Sequence, residues 1–257
     1  MTIESRDNYY NPLVLWVYDF FVQVLTNTFW WRCPTKSVLI PFFLKNTSQN
    51  HMEVGAGTGY FLRAKVDHER QQSPIPKLIK ASSSWPRKLT IVDFHSQCLT
   101  KAVNRIASDT AVQPECVVAN ILEPLPLAPK NTKGRVFENL KEFLADEGVF
   151  FGSTVLSKGV KHNLIGGFLI WLYNYIGMFG NLDDGKEEIL KPLRENFEEV
   201  EKAEAVVTGT EAQSEGLQEG AVGTLMVHWR KKRLADSDDD DDDDDDLINS
   251  IVLEPTF

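Results

Sequence analysis

The chain has 257 residues, a hydrophobic fraction of 42%, 15 Phe and 6 Trp, enough to bury a sizeable core in one domain with additions. Its net charge of −10 sits at one end: residues 236–257 carry Asp236, Asp238 to Asp246 and Glu254 with no Lys or Arg, so the remainder is close to neutral. A near-neutral body lacks the basic footprint of a nucleic-acid binder, and the scattered Cys33, Cys98 and Cys116, with no CxxC pair, argue against a disulfide framework or a zinc site.

The N-terminal MTIESRDNYYNP lacks the cationic start and apolar run of a signal peptide, so a cytoplasmic location is expected. Pro12 to Leu25 is short and contains Asp19, and Leu164 to Phe179 is interrupted by glycines and Asn174. Both fall below the roughly 20 residues of a spanning helix, so no stable membrane insertion is expected.

In chain order, residues 12–45 are aromatic-rich and predicted helical. His51 to Val54 is a short strand, followed by a glycine turn and a helix from Tyr60 to Val66. Residues 69–87 carry Pro74, Pro76, Pro86 and a serine run, which predicts an insertion loop. Leu89 to Asp93 is a second strand. Ser96 is placed to cap a helix with Leu99, Ala102, Val103 and Ile106 at helical spacing. Glu115 to Ala119 is a third strand. Arg135 to Leu144 is an amphipathic helix, Gly148 ends the turn after it, and Val149 to Val155 is a further strand. Val200 to Val207 and Val222 to Trp229 are late strands joined by a polar loop. This alternation predicts an α/β fold, a mostly parallel sheet with helices on both faces and ligands at the strands' carboxyl ends. The predicted units are a helical, aromatic cap over 1–50, an α/β domain over 51–233, and an acidic tail over 234–257. The tail's nine consecutive Asp residues predict disorder.

The stretch HMEVGAGTGYF places glycines at 55, 57 and 59 directly after an apolar run. A dinucleotide fingerprint, G-x-G-x-x-G, would need its last glycine at position 60, where Tyr60 stands, and no Gly-Lys-Ser/Thr follows for a P-loop. A bare structural turn is the remaining alternative.

The pattern E-x-G-x-G-x-G resembles the class I S-adenosylmethionine-dependent methyltransferases. Further points of likeness are Asp93 at the end of the second strand, Asn120 after the third, the GSTVL that closes Val149 to Val155, and the N-terminal NPLVLWVYDFF…WRCPTK, which is similar to small-molecule members. The resemblance implies a Rossmann-like sheet and S-adenosylmethionine as cofactor. It implies that Gly55, Gly57 and Gly59 admit the cofactor's methionine part and that Glu53 holds its ammonium. Asp93 would take the ribose hydroxyls, with Phe94, Asn120 and Ile121 near the adenine. The physical logic agrees, because close approach needs residues without Cβ and an ammonium favours a carboxylate.

One departure from the family is visible. Between Leu127 and Val149 stand only 21 residues, and the Arg135–Leu144 helix uses ten of them. A parallel crossover needs about a dozen beyond the strands, so the sheet is expected to be one central strand short.

The expected reaction is methyl transfer to a small, lipophilic acceptor of specialised metabolism. The alternatives are an impaired methyltransferase-like protein that binds cofactor or a partner without turnover, and a dinucleotide-dependent oxidoreductase. No catalytic residue stands out; His162, Tyr9 and Tyr10 are candidates, and His95 is expected to orient Asp93 locally. The apolar Leu164–Phe179 segment, with Phe168, Trp171, Tyr173 and Tyr175, would cover such an acceptor or lie buried in the core.

Overall fold

The computed structural model describes residues 19–31, 33–72, 85–119, 133–160, 162–175, 181–199, 205–206, 224–231 and 247–253. Eight strands form one sheet: β1 (Asn50–Val54), β2 (Lys88–Asp93), β3 (Glu115–Val118), β4 (Leu144–Val155), β5 (Phe197–Glu199), β6 (Ala205–Val206), β7 (Thr224–Lys231) and β8 (Ile248–Leu253). Their order is β3-β2-β1-β8-β4-β7-β5, with β6 also on β7. The five strands from β3 to β4 run parallel, and β7 is antiparallel to its neighbours. Among the described residues, eight helices accompany them: α1 (Asp19–Trp30) and α2 (Thr35–Leu39), both wound wider than an α-helix, α3 (Ile40–Asn46), α4 (Tyr60–Gln72), α5 (Ser96–Ile106), α6 (Lys133–Lys141), α7 (Leu164–Tyr175) and α8 (Lys186–Asn196).

The sheet corrects the expected gap. Between β3 and β4 the described residues hold only α6, in keeping with the short spacing. Yet the central position is filled: β8, from the segment expected to be disordered, lies parallel between β1 and β4. Ile251 faces Met52 on one side and Phe150 on the other. Composition is misleading here because the nine Asp dominate any window, whereas INSIVL by itself carries enough apolar surface to be held on both faces of a parallel sheet. The flanking residues 234–246 and 254–257 lie outside the described set.

Two cores cover the two faces, and adjacent residues of β4 are shared between them. Phe150 packs with Phe137, Phe197, Trp229 and Ile251, while Phe151 packs with Phe43, Phe61 and Val252. Both Phe side chains are fully buried, each contributing about 1.5–3 kcal/mol. The N-terminal helices are part of this body, since Leu39 and Phe43 share the second core with Leu62 and Ile91.

Smaller corrections follow from local geometry. α6 ends at Lys141 and Leu144 already pairs with Ile248, because an irregularity at Ala145 to Gly148, with Glu147 at φ 63°, lets β4 begin early. Of the late strand predicted over Val200 to Val207, Ala205–Val206 is β6; β5 precedes it at Phe197–Glu199, and residues 200–204 and 207 lie outside the described set. Ser96 makes no side-chain cap on α5; Asp93 accepts the His95 N–H ahead of it.

His51 is completely buried on β1, between the rings of Phe43 and Phe151, with Nδ1 2.8 Å from the Ser250 hydroxyl. Burial, aided by the charge of Lys65, pushes its pKa down to about 3 against a smaller opposing hydrogen bond to Ser250. The unfolded chain therefore takes up a proton below about pH 6.5 that the folded chain refuses until far lower. This contribution is intact above that value and is lost as the pH falls, by up to about 1.4 kcal/mol per pH unit. Denaturant unfolding of the wild type and His51→Gln between pH 7.5 and 4.5 checks it; the variant is expected to show a shallower slope.

Candidate cofactor site

The carboxyl end of β1 runs directly into the glycine turn. Gly55, Gly57 and Gly59 have φ of 75°, 52° and 70°, a region that L side chains avoid. Gly55 donates its N–H to Val92 O at 2.7 Å, and Gly59 to Ala56 O at 2.7 Å. The glycines do different work. A Cβ at Gly59 would lie 2.8 Å from Ala102 Cα, so this residue lets α4 close against α5. A Cβ at Gly57 would meet nothing nearer than Gly55 O at 3.8 Å, so the backbone there borders open space.

Asp93 ties the turn to β2. Its Oδ2 accepts the Gly57 N–H at 3.0 Å and its Oδ1 accepts the His95 N–H at 2.9 Å. Burial raises the carboxyl pKa, and these hydrogen bonds act against the rise. A carboxylate accepts on both oxygens, and the backbone of Gly57, His95 and Phe94 uses part of that capacity here. The bare turn and this carboxylate thus meet at the carboxyl edge of the sheet. Glu53 is fully buried beneath the turn, in register with Ile91 and Val252. Phe94 is partly exposed, its ring 4.8 Å from that of His95. Asn120 and Ile121 lie outside the described residues, as do Tyr9 and Tyr10.

A residue overlooked at the sequence level fastens this turn. Asp19, at the start of α1, accepts the Thr58 hydroxyl and pairs with Arg105 Nη1 at 2.6 Å. Arg105 Nη1 also donates to Thr58 Oγ1 at 3.0 Å, and the guanidinium carbon Cζ lies 5.7 Å from the centre of the Tyr60 ring. Nothing in the spacing of residues 19, 58 and 105 signals this contact. Asp19→Asn is expected to weaken cofactor affinity several-fold, the loss of about 0.5–1.5 kcal/mol of partly solvated contact. Calorimetric titration at low and high salt checks it, with a smaller difference expected at high salt.

The other candidates are spread along the carboxyl side of β4. His162 packs edge-on against Trp31, their ring centres 6.1 Å apart, and its burial lowers its pKa against a hydrogen bond at Leu156. The described part of the apolar segment, α7, is buried on one face only. Leu169, Ile170 and Tyr173 pack with Trp31 and Val155, whereas Leu164, Ile165, Phe168, Trp171 and Tyr175 are exposed. Near the ends of β4 and β8 a small apolar cavity of ≈ 20 Å³ is lined by Phe42, Phe61, Gly152, Ser153 and Leu253 among others. Among the described residues no His, Cys, Asp and Glu cluster could hold a metal, and no helix is long and apolar enough to cross a membrane.

Comparison with known proteins shows the family. No protein-family profile matches the chain. Methyltransferase aurB of Calcarisporium arbuscula is 63% identical over 222 residues, covering 78% of this chain and 93% of that protein. Methyltransferase ctvB of Aspergillus terreus is 44% identical, covering 80% and 91%. A physcion biosynthesis cluster O-methyltransferase of Aspergillus chevalieri is 35% identical, covering 75% and 86%. Among solved structures, magnesium protoporphyrin IX methyltransferase of Synechocystis superposes with a TM-score of 0.49 at 12% identity, covering 89% of this chain and 99% of that one. On the identity and coverage of these relatives, the chain belongs to the class I S-adenosylmethionine-dependent methyltransferases.

Proposed function

We propose that the protein transfers the methyl group of S-adenosylmethionine to an oxygen of a small, lipophilic acceptor of specialised metabolism. The observation that carries this is the left-handed glycine turn held by Asp93 at the carboxyl edge of the sheet. The relatives' names support the acceptor class, one being an O-methyltransferase of a biosynthesis cluster.

In this reading Gly55 and Gly57 admit the cofactor while Gly59, first expected to do the same, keeps α4 against α5; Glu53 meets the cofactor's ammonium, and Asp93 takes the ribose hydroxyls. Phe94, Asn120 and Ile121 attend the adenine. The cofactor, when bound, supplies an electrophilic methyl on a sulfonium. The chain's own work is to position the acceptor in line and to exclude water. An acceptor hydroxyl must lose its proton. His162, whose burial favours the neutral imidazole at neutral pH, is the candidate base, with Tyr9 and Tyr10 as alternatives.

The test is calorimetric titration with S-adenosylmethionine, S-adenosylhomocysteine and NAD, followed by incubation of the loaded protein with simple phenolic acceptors and methyl-labelled cofactor. Saturable binding of both sulfur compounds but not NAD, with label transferred to a phenol, is expected. Binding without transfer to any acceptor would favour the silent binder instead.

A further inference from the structure

The two halves of the sheet do not pair with each other. β3, β2 and β1 carry the glycine turn and Asp93; β4, β7 and β5 form the other half; among the described strands only β8 is hydrogen-bonded to both. We propose that the groove between β1 and β4 is a binding site for one parallel strand, which the chain fills with its own C-terminal segment, and that this strand can leave and be replaced.

The groove has recognition features beyond a ladder of backbone bonds. Ser250 is held by the Ser48 N–H at 3.0 Å, by the Ser48 hydroxyl at 2.6 Å and by His51 Nδ1 at 2.8 Å. A slip of one residue would turn Ser250 toward the opposite, apolar core, so this buried polar group specifies register. At the other end Gly152 lacks a side chain where a Cβ would lie 2.7 Å from Leu253 O, leaving room for the strand to pass. Ile251 and Val252 enter the two opposite cores.

Lys231 ends β7 and Ile248 starts β8, and the intervening stretch holds nine consecutive Asp that offer no apolar side chain and repel one another. Insertion is therefore sustained by the groove. This is recognition by strand addition, with the difference that the acceptor lies in the middle of the sheet.

The test uses the full chain with a specific protease site in place of residues 234–237, cut after folding. The C-terminal fragment is expected to stay bound through gel filtration, and excess labelled peptide of sequence LINSIVLEPTF is expected to replace it. The same peptide with Ile251→Pro should compete at least about tenfold less well. Hydrogen exchange at β1 and β4 should remain slow while either peptide occupies the groove. If the fragment leaves on cutting, loss of that protection followed by its return with added peptide supports the proposal equally. Protection unchanged after the fragment departs, a fragment that never exchanges, or protection that added peptide does not restore would each overturn it. None of these readouts depends on methyl transfer, so failure here is distinct from failure of the enzymatic reading.

Discussion

Replacing Asp93 with Ala is expected to reduce affinity for S-adenosylmethionine by at least about 100-fold, a change of roughly 3 kcal/mol. Two losses combine. The Gly57 and His95 N–H groups, at 3.0 and 2.9 Å, lose their acceptor, which loosens the glycine turn. In the role proposed for Asp93, the variant also loses an acceptor for the ribose hydroxyls, contacts that are worth more than neutral ones because the acceptor is charged. Asp93→Asn separates the two effects. It keeps one acceptor oxygen for the turn and loses half the double acceptor, so an intermediate affinity is expected. Calorimetry on both variants decides the matter, with far-UV circular dichroism confirming the fold. Wild-type affinity in Asp93→Ala would remove Asp93 from the site.

The second large effect concerns stability. Gly152→Val should destabilise the protein by at least about 3 kcal/mol, measured by denaturant unfolding. The obstacle is main chain: a Cβ would lie 2.7 Å from Leu253 O and 3.1 Å from Leu253 Cβ, and neither can yield without shifting β8. Because β8 is central, its shift also disturbs Ile251 in one core and Val252 in the other. Gly159, beside which a Cβ would meet nothing within 4 Å, provides the comparison. Gly159→Ala should cost only the strain of its φ of 78°, about 1 kcal/mol. Equal losses in the two variants would mean that β8 does not press on Gly152.

The parts legible in the sequence were those written in local spacing. Three glycines at alternate positions require a turn of left-handed residues, and the structure has it, with Asp93 bonded to its middle. Periodicity identified α4, α5 and the strands from His51, Leu89, Glu115 and Val149, since burial of one helix stripe or of a whole parallel strand leaves a pattern within a dozen residues. The 21 residues between Leu127 and Val149 also led to the expectation of a sheet one strand short.

Tertiary structure alone decided what fills that place. Met52 and Ile251 are register partners almost at opposite ends of the chain, and no local rule connects them. The segment INSIVL has unremarkable strand character beside a polyanionic run, and becomes a central strand because a groove apolar on both faces and equipped with Ser48 and His51 awaits it. The grip of Asp19 on Thr58 and Arg105, and the division of α7 into a buried and an exposed face, arise in the same way. Spacing determines how each segment folds on itself; which segments then meet is settled by the burial that only their joint packing supplies.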